Sequence, residues 1–438
     1  MNFLEKLNKM TVFWFRRDLR LEDNTALFHA LNENEAILPI FIFDETILQH
    51  LEKNDARVTF IHNQLEKINS ELAKYNKSLA VFNGKPLEVY EKLIVENKIT
   101  SVYTNHDYEP YARKRDVALN DLFKKNKIEF KTCKDQVIFE KSEITKEDGL
   151  PYVVYTPFSN KWKAKLKETK LINYPSETLL EKITPHSYPF LSLNNIGFEK
   201  TTISLPEYNI SEKLVTEYEA TRNFPALKNG TSLIGIHLRF GTISIRKLVQ
   251  YAVKFQNETF LKELIWREFF MQILWHFPHT KTQSFKPKYD AIKWDNNEVL
   301  FQKWCDGKTG YPMVDAGMRE LNATGHMHNR VRMVVASFLC KHLLIDWRWG
   351  ETYFASKLLD YEQASNVGNW QWAAGSGVDA APYFRIFNPT EQIKKFDKEL
   401  KYIKKWVPEL ETLHYPNPIV DHKEAREKCL RVYKEAVG

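Results

Sequence analysis

The fold is decided near the start of the chain, by the stretch TVFWFRRDLR at residues 11–20. Its first five residues are apolar or β-branched, and a polar turn that begins with Arg16 and Arg17 follows directly. A short apolar run that ends in a turn is typical of a strand buried inside a parallel sheet. Arginines stand where a dinucleotide-binding enzyme carries a GxGxxG motif, so the sequence disfavours a Rossmann dehydrogenase.

Four more runs of this kind lie downstream and alternate with amphipathic segments. The segment 56–75, for example, carries Ile61, Leu65, Ile68 and Leu72 at helical spacing. Alternating strands and helices predict a parallel, doubly wound sheet with right-handed crossovers. The predicted strands are Thr11–Phe15, Ala36–Phe43, Leu79–Phe82, Ser101–Thr104 and Ile128–Lys131.

The second half of the chain has a different pattern, with apolar residues at three- and four-residue spacing. Such spacing is typical of amphipathic helices. Pro312 stands where a first helical turn tolerates proline, and Gly325 stands near a helix end. The predicted fold class is therefore α/β plus all-α, with an N-terminal doubly wound parallel-sheet domain and a helical domain. The predicted helices of the second half are Lys262–Phe277, Pro312–Ala323, Asn329–Ile345 and Glu351–Glu362.

A proline-containing stretch without sustained periodicity separates the two halves, which predicts a long surface connector. We assign residues 1–131 to the α/β domain, residues 132–205 to the interdomain linker and residues 206–438 to the helical domain.

Composition places the 438-residue chain among soluble globular proteins, with 43% hydrophobic and 27% charged residues. The longest apolar run, residues 36–43, is far shorter than the roughly 20 residues of a membrane span. The apolar run after the N-terminal lysines is too short for a secretory signal. Cys133, Cys305, Cys340 and Cys429 form no CxxC pair, so neither a disulfide framework nor a metal site is predicted. We therefore expect a cytoplasmic protein.

The net charge says less about the function of the protein than its tryptophan content does. The net charge of +7 favours a polyanionic partner only if it is concentrated on one face. Nine of the eleven tryptophans lie in the second half, and the most distinctive stretch is DYEQASNVGNWQW at residues 360–372. If this stretch is helical, Asn366 and Trp370 share a face and Trp372 points elsewhere. Core filling explains any single tryptophan, but two that flank a glutamine also suit electron transfer or base stacking.

Three other segments carry groups that suit ligand binding, and each has a structural alternative. The turn NGTSLIG at residues 229–235 can hold phosphate oxygens or cap a helix. Glu263 and Trp266, three residues apart, can grip a planar polar ligand or form an ion pair beside a core tryptophan. His326 and His328 lack a third ligand nearby, which favours hydrogen-bonding roles over metal binding.

Together these motifs resemble the photolyase/cryptochrome family, and most closely its cyclobutane pyrimidine dimer photolyases. The resemblance covers nearly the whole chain, and the combination of blocks in one order is highly specific. The blocks are WFRRDLRL at 14–21, YTPF at 155–158, FGTIS at 240–244, IWREF at 265–269, TGYP at 309–312 and AAPYFRIFNP at 380–389.

The resemblance implies a folded FAD in the helical domain, active as the fully reduced anion FADH⁻. It also implies repair by photoinduced electron transfer, in which an electron enters the dimer, the cyclobutane ring opens and the electron returns. Asn366 would face flavin N5, where plant cryptochromes carry a different residue, so asparagine favours a repair enzyme. The implied cofactor-binding positions are Tyr218, Thr231, Ser232, Leu233, Arg332, Asp360 and Asn366.

By the same resemblance the partner is UV-damaged DNA, and the dimer would leave the duplex to reach the flavin. Glu263 would stabilise the charge that develops on the thymine carbonyls. Arg330 and Arg385 would contact the flanking phosphates. The implied DNA and dimer contacts are Glu263, Trp266, Asn329, Arg330, Met333, Trp372 and Arg385. We expect a monomer that does not associate with membranes.

Trp294, Trp347 and Trp370 fall at the family's spacings for a chain of tryptophans that carries electrons to oxidised flavin; the alternative for Trp347 is core packing. Two departures alter the wall of the flavin site. His326 replaces the usual tryptophan, and residues 235–237 replace the common Ser-Pro-Tyr. We expect these departures to tune the site and not to abolish it.

The antenna and two rival functions stay open at this stage. Tyr111 and Ala112 replace the Asn-Glu pair of folate-binding relatives, which disfavours folate and leaves a deazaflavin, another flavin or no second chromophore. A (6-4) photolyase would rely on a histidine pair, against which Asn329 and Met333 argue. A cryptochrome photoreceptor usually carries a long tail, whereas 32 residues follow Trp406.

Overall fold

Five parallel strands, in the order β3-β2-β1-β4-β5, form the sheet of the computed structural model, which describes residues 9–438. Each strand overlaps a predicted run, so the predicted doubly wound sheet is confirmed. The strands are β1 Lys9–Phe15, β2 Ile37–Asp44, β3 Ala80–Gly84, β4 Lys98–Asn105 and β5 Glu129–Cys133.

Strand β1 lies at the centre of the sheet. Trp14 pairs with Ile40 on β2, and Val12 pairs with Val102 on β4. Phe13 and its neighbours along the strand are almost fully buried. Both faces of β1 are therefore covered, as in parallel sheets flanked by helices, and this explains why the run at residues 11–15 shows no polar alternation.

The α-helices follow the order of the chain. They are α1 Thr25–Glu33, α2 Glu45–Leu48, α3 Ala56–Ala73, α4 Pro86–Glu96, α5 Pro110–Lys125, α6 Tyr155–Glu168, α7 Glu212–Thr221, α8 Gly235–Arg239, α9 Ile245–Ala252, α10 Thr259–His276, α11 Glu298–Cys305, α12 Pro312–Thr324, α13 Asn329–Ser337, α14 Trp347–Lys357, α15 Gln363–Ala374, α16 Pro389–Phe396, α17 Lys401–Trp406 and α18 His422–Val437.

Two of the predicted helices have the wrong limits. The helix predicted to reach Ile345 ends at Ser337, and a π-helical turn, Phe338–His342, follows it. The helix predicted over residues 351–362 ends at Lys357, because Leu358 and Glu362 adopt extended backbone angles. Apolar spacing continues through both positions, so periodicity alone does not reveal these breaks.

Two compact units divide the chain, and each is built from three segments. The sheet unit comprises residues 9–140, 167–205 and 235–251; the helical unit comprises residues 141–166, 206–234 and 252–438. The sequence analysis predicted that the α/β domain (1–131), the linker (132–205) and the helical domain (206–438) are each one continuous segment of the chain. The units differ from them, because residues 141–166 pack with the helical unit and residues 235–251 with the sheet unit.

The predicted linker contains α6, which is not a surface connector. Tyr155, Phe158 and Trp162 are buried on this helix. The Trp162 Nε1 group donates to Glu268 of α10 at 2.5 Å. Burial of three aromatic side chains makes α6 part of the core of the helical unit.

None of the helices within residues 9–438 is long and apolar enough to cross a membrane. In the same range, no group of three or more His, Cys, Asp or Glu side chains could hold a metal ion. The expectation of no secretory signal concerns the N-terminal residues, of which 1–8 lie outside the described residues.

The arginine-rich turn after β1 belongs to a buried ion-pair network in the sheet unit. The Asp135 carboxylate lies 2.8 Å from Nη2 of Arg20 and 2.9 Å from Nη2 of Arg246 in α9. Burial disfavours the charged form of Asp135, but the two guanidinium groups outweigh it and lower its pKa to about 2. The network therefore joins α9 to the strand ends of the sheet.

We expect Asp135→Asn to destabilise the protein by about 3 kcal/mol, because it leaves two buried arginines short of a counter-charge. Denaturant unfolding at neutral pH measures this loss, and the exposed Asp121→Asn in α5 serves as the control. The depressed pKa of Asp135 means that its contribution is complete above about pH 4 and fades as the pH falls towards 2. A difference between wild type and D135N that grows on acidification would contradict this interpretation.

Candidate functional site

A cavity opens in the helical unit, with an empty volume of about 610 Å³ that includes space open to solvent. Helices α13, α14 and α15 and the segment between α14 and α15 form its wall. The cavity is lined by Asn329, Arg332, Met333, Ala336, Phe354, Leu358, Asp360, Tyr361, Glu362, Ser365, Asn366, Asn369, Trp370, Trp372 and Ala373.

The break between α14 and α15 positions Asp360. Because the chain is extended at Leu358 and Glu362, Asp360 faces the cavity instead of continuing a helix. The Asp360 Oδ2 atom lies 3.0 Å from Nη2 of Arg332, and Arg332 Nε donates to the Met327 carbonyl at 2.7 Å. Two contacts therefore fix the guanidinium of Arg332 beside Asp360.

The second oxygen of Asp360 is available to a ligand. Its Oδ1 atom is buried, and no group among the described residues donates a hydrogen bond to it. Burial opposes ionisation of Asp360, but the Arg332 guanidinium outweighs it and lowers the pKa of the carboxyl. A buried carboxylate oxygen without a donor is costly, so this site favours a ligand that presents an N–H or O–H group.

Asn366 faces the same cavity from α15 and is held by Glu351 of α14. The Asn366 side-chain amide donates to Oε1 of Glu351 at 2.9 Å and to its backbone carbonyl at 3.1 Å. Burial raises the pKa of Glu351. These two bonds use the amide nitrogen of Asn366 and leave its carbonyl oxygen to accept from a ligand.

A second group of side chains, Asn329, Met333 and Trp372, lines the cavity together with Asp360 and Asn366. Asn329 is the first residue of α13, and His328 caps this helix by accepting from the backbone N–H of Arg330 at 3.1 Å. Burial lowers the pKa of His328 to about 4, which keeps it a neutral acceptor. Nδ1 of His328 therefore has the expected hydrogen-bonding role, whereas its buried Nε2 has no partner among the described residues.

Glu263 does not line this cavity but pairs with an arginine that the sequence analysis missed. Its carboxylate forms an ion pair with Arg222, the residue that directly follows α7. Arg222 also lies 5.7 Å from the ring of Tyr218, one helical turn earlier. Burial and the Glu263 charge raise the pKa of Tyr218 to about 12, so its hydroxyl stays a donor at neutral pH. The i, i+4 spacing of Tyr218 and Arg222 was the available signal.

Trp266 is half-buried on α10, and Tyr155 covers one of its faces. The two ring centroids are 3.7 Å apart and the planes differ by 4°. The Tyr155 hydroxyl donates to the Lys262 carbonyl at 2.9 Å, which fixes the stack. A base or another ring can therefore stack on Trp266 only over the part of the indole that Tyr155 does not cover. Tyr155 is part of the YTPF block at residues 155–158, but the sequence analysis assigned it no role in the site.

The predicted phosphate turn has a strained backbone. Leu233 adopts a φ of 52°, and the buried Ser232 accepts from the Asn209 N–H at 2.9 Å through its carbonyl. Thr231 precedes them. The alternatives of phosphate binding and helix capping both stay open for this turn.

Arg330 is half-buried, whereas Arg385 is exposed. Arg330 donates to Asn223 at 2.7 Å and lies 4.3 Å from the ring of Phe396. The Arg385 side chain is exposed, and its backbone carbonyl accepts from the buried Lys341 at 2.9 Å. Lys341 therefore fixes the loop that carries Arg385.

The three predicted electron-transfer tryptophans belong to one aromatic core. Trp370 and Trp347 are buried in the same cluster, and the half-buried Trp294 packs against it. Gly350 of α14 makes this packing possible, because a Cβ atom there would lie 2.1 Å from Cη2 of Trp370. The absence of a side chain thus lets α14 approach Trp370 on α15.

A second cavity, of about 770 Å³, lies in the sheet unit. Arginine side chains and carboxylates line it together with aromatic rings. Tyr111 reaches it and donates to Asp44 at 2.6 Å, and Arg115 lies 4.8 Å from the ring of Trp14. The other charged lining residues are Arg16, Arg17, Asp107, Glu109 and Arg239.

Both units match known families. Residues 11–177 match the family model described as DNA photolyase, and residues 260–414 match the FAD binding domain of DNA photolyase. The deoxyribodipyrimidine photo-lyase of a Synechococcus strain is 35% identical, over 97% of this chain and 96% of the relative. The chain belongs to the DNA photolyase family.

Solved structures agree with this assignment to the DNA photolyase family. A class III photolyase from Agrobacterium tumefaciens superposes with a TM-score of 0.86 at 34% identity, covering 100% of this chain and 99% of that chain. An archaeal photolyase from Sulfolobus tokodaii, solved with two FAD molecules, has a TM-score of 0.83 at 35% identity, covering 97% and 100%. The predicted family and fold class are confirmed.

We expect Gly350→Ala to destabilise this photolyase by about 1–3 kcal/mol through overpacking, despite the roughly 1 kcal/mol that alanine gains over glycine in a helix. Thermal unfolding measures the change. The exposed Thr352→Ala on the same helix is the control. Increased stability of G350A would show that α14 and α15 do not pack as closely as described.

Proposed function

We propose that this protein is a light-dependent lyase that repairs cyclobutane pyrimidine dimers in DNA with FAD as its cofactor. One observation carries the proposal: the groups suited to a flavin, Asp360 and Asn366, share a cavity with groups suited to a dimer, Asn329 and Trp372. The curated relative named deoxyribodipyrimidine photo-lyase, matched over almost its full length, supports this activity.

The residues of the cavity fit FAD. The unpartnered Oδ1 atom of Asp360 would accept from an N–H of the isoalloxazine, and Arg332 beside it would offset negative charge on the ring. The free carbonyl of Asn366 would accept from a protonated ring nitrogen. The reduced cofactor, when bound, supplies an electron donor that blue light excites. Tyr218 and the turn from Thr231 to Leu233 would bind other parts of it, by family resemblance.

The dimer would lie against the other wall of the cavity. Trp372 would stack on a base, Met333 would pack against it, and Asn329 would hydrogen-bond its edge. Glu263, held by Arg222, would act on the thymine carbonyls, and Trp266 would complete the pocket with the surface that Tyr155 leaves open.

Arginines near the cavity suit the DNA backbone. The exposed Arg385 and the half-buried Arg330 would each neutralise a phosphate that flanks the dimer. Such contacts release counterions, so each arginine would contribute about one unit to the slope of log affinity against log salt concentration.

The cavity of the sheet unit is proposed to hold a second chromophore of the flavin or deazaflavin class. Its arginines suit a phosphate or an acidic ring, and its aromatic side chains suit a planar ring system. The archaeal relative solved with two FAD molecules makes a flavin the first candidate. Reconstitution with FAD and FMN, followed by counting flavin per protein, tests it.

We expect Ile47→Trp, at the half-exposed edge of this second cavity, to lower the flavin content from about two to about one per chain, because the indole fills space that the ring needs. The exposed Val117→Trp on α5 is the control. One flavin per chain in wild type, after reconstitution with FAD, FMN and a deazaflavin, would refute a second site.

We expect Glu263→Ala to lower dimer repair about tenfold, the size of one lost charge-assisted hydrogen bond of about 1.5 kcal/mol. Chemically reduced protein is illuminated with a dimer-containing oligonucleotide, and restored thymine is measured. The exposed Glu219→Ala on α7 is the control. Loss of bound FAD in E263A would assign Glu263 to the cofactor, and no repair by wild type with FAD bound would refute the proposed function.

We also expect Trp347→Phe to slow photoreduction of the oxidised flavin while sparing repair by protein supplied already reduced, because Trp370, Trp347 and Trp294 would carry electrons only for reduction. Flavin absorbance under blue light with a thiol reductant follows the change. Equal photoreduction in wild type and W347F would leave Trp347 as a core residue only.

A further inference from the structure

We propose that Lys341 is a positioning residue for DNA, because it holds the loop that carries Arg385 in the form that binds a phosphate. The proposal rests on the proposed function, since it takes the DNA backbone as the ligand of Arg385. Lys341 lies in the π-helical turn Phe338–His342, and neither the flavin nor the dimer has been assigned a contact with it.

Lys341 is a buried cation without a counter-charge. The residue is only 1% exposed, and it forms no ion pair with an Asp or Glu side chain of residues 9–438. Its Nζ group donates to the backbone carbonyl of Arg385 at 2.9 Å. An apolar side chain of similar size would fill the same space at a lower cost in stability, so packing alone does not explain a lysine here.

The electrostatic environment of Lys341 suits an anion on the loop. Burial lowers the pKa of Lys341, the neighbouring thiols of Cys429 and Cys340 oppose this shift, and the charge of Arg385 adds to it. Burial also raises the pKa of both thiols, which are therefore uncharged at neutral pH. Lys341 and Arg385 are thus two neighbouring cations, and a phosphate bound to the loop would supply the missing negative charge.

The residues before Arg385 are held by a turn and by aromatic stacking. The backbone N–H of Arg385 donates to the Pro382 carbonyl at 2.9 Å. The ring of Tyr383 stacks on Tyr433 of α18, with centroids 5.8 Å apart and planes that differ by 18°. Lys341 fixes the carbonyl of Arg385 itself, while the arginine side chain stays exposed. A loop held in this way loses less conformational entropy when it binds a phosphate.

Phosphate binding would favour the charged form of Lys341 and so raise its pKa. Binding would then be tightest below the pKa that Lys341 has in the free protein, and it would weaken as the pH rises through that value. Other titratable groups of this cluster keep their protonation state between about pH 7 and 9.5. They are His342, whose pKa is lowered to about 3 by burial, and Cys340, Cys429 and Tyr433, whose pKa values burial raises.

The test is a double-mutant cycle in the FAD-loaded, full-length protein. Fluorescence anisotropy measures binding of a dimer-containing duplex in the dark. We expect Arg385→Met and Lys341→Met each to weaken binding about fivefold, as for one exposed ion pair. K341M/R385M should bind no more weakly than R385M, because the lysine acts through the arginine. The control, Lys434→Met on the exposed side of α18, also removes one positive charge and should bind like wild type.

Two further readouts separate the positioning of Arg385 from a purely structural role of Lys341. The slope of log affinity against log salt concentration should decrease by about one unit in R385M and in K341M. Wild-type affinity should decrease between about pH 7 and 9.5, whereas the affinities of R385M and K341M should not. Thermal unfolding establishes that each variant folds. If K341M does not fold, the pH profiles of wild type and R385M decide.

Wild-type affinity in K341M would overturn the proposal, and so would a loss from K341M that is as large in the R385M background as in wild type. Equal pH profiles of wild type and R385M would overturn it too. Repair of the wild-type complex under blue light separates the two proposals. The expected cycle without restored thymine would remove the repair activity and leave the role of Lys341, whereas normal repair with tight binding by K341M would do the reverse.

Discussion

The ion pair between Arg332 and Asp360 is the interaction on which the site depends. Asp360 meets Arg332 because the helical backbone is interrupted between α14 and α15, with a turn at residues 359–360, and one oxygen of its carboxylate is buried without a donor among the described residues. A buried carboxylate oxygen without a hydrogen-bond donor is costly. An N–H group of the proposed flavin would complete this arrangement.

Aromatic packing supplies the second constraint. Gly350 brings α14 against Trp370, and the core around Trp370 continues into Trp304, Phe354 and Trp347. The same close packing that stabilises the helices therefore places oxidisable rings in contact. Packing accounts for these tryptophans as large core side chains, and the proposed electron transfer would use the same contacts.

Much of this could be predicted from the sequence, and the failures have physical causes. β1, β2 and most of β4 are buried on both faces and leave apolar or β-branched runs, whereas β3 and β5 are partly exposed and were found from shorter runs. The break at Leu358 was missed because apolar spacing runs through it. Glu351 and Arg222 were missed because their partners, Asn366 and Glu263, lie far away in sequence. Family resemblance named residues on both walls of the cavity, but only the structure brings them together.

A crystal structure of the FAD-loaded protein with dimer-containing DNA would show whether flavin and dimer share the cavity of the helical unit. We expect Asp360 Oδ1 to accept a hydrogen bond from the isoalloxazine, and an extruded dimer to contact Asn329 and Trp372 in the same cavity. A flavin bound elsewhere, or a dimer still stacked in the duplex with that cavity closed to it, would contradict the account.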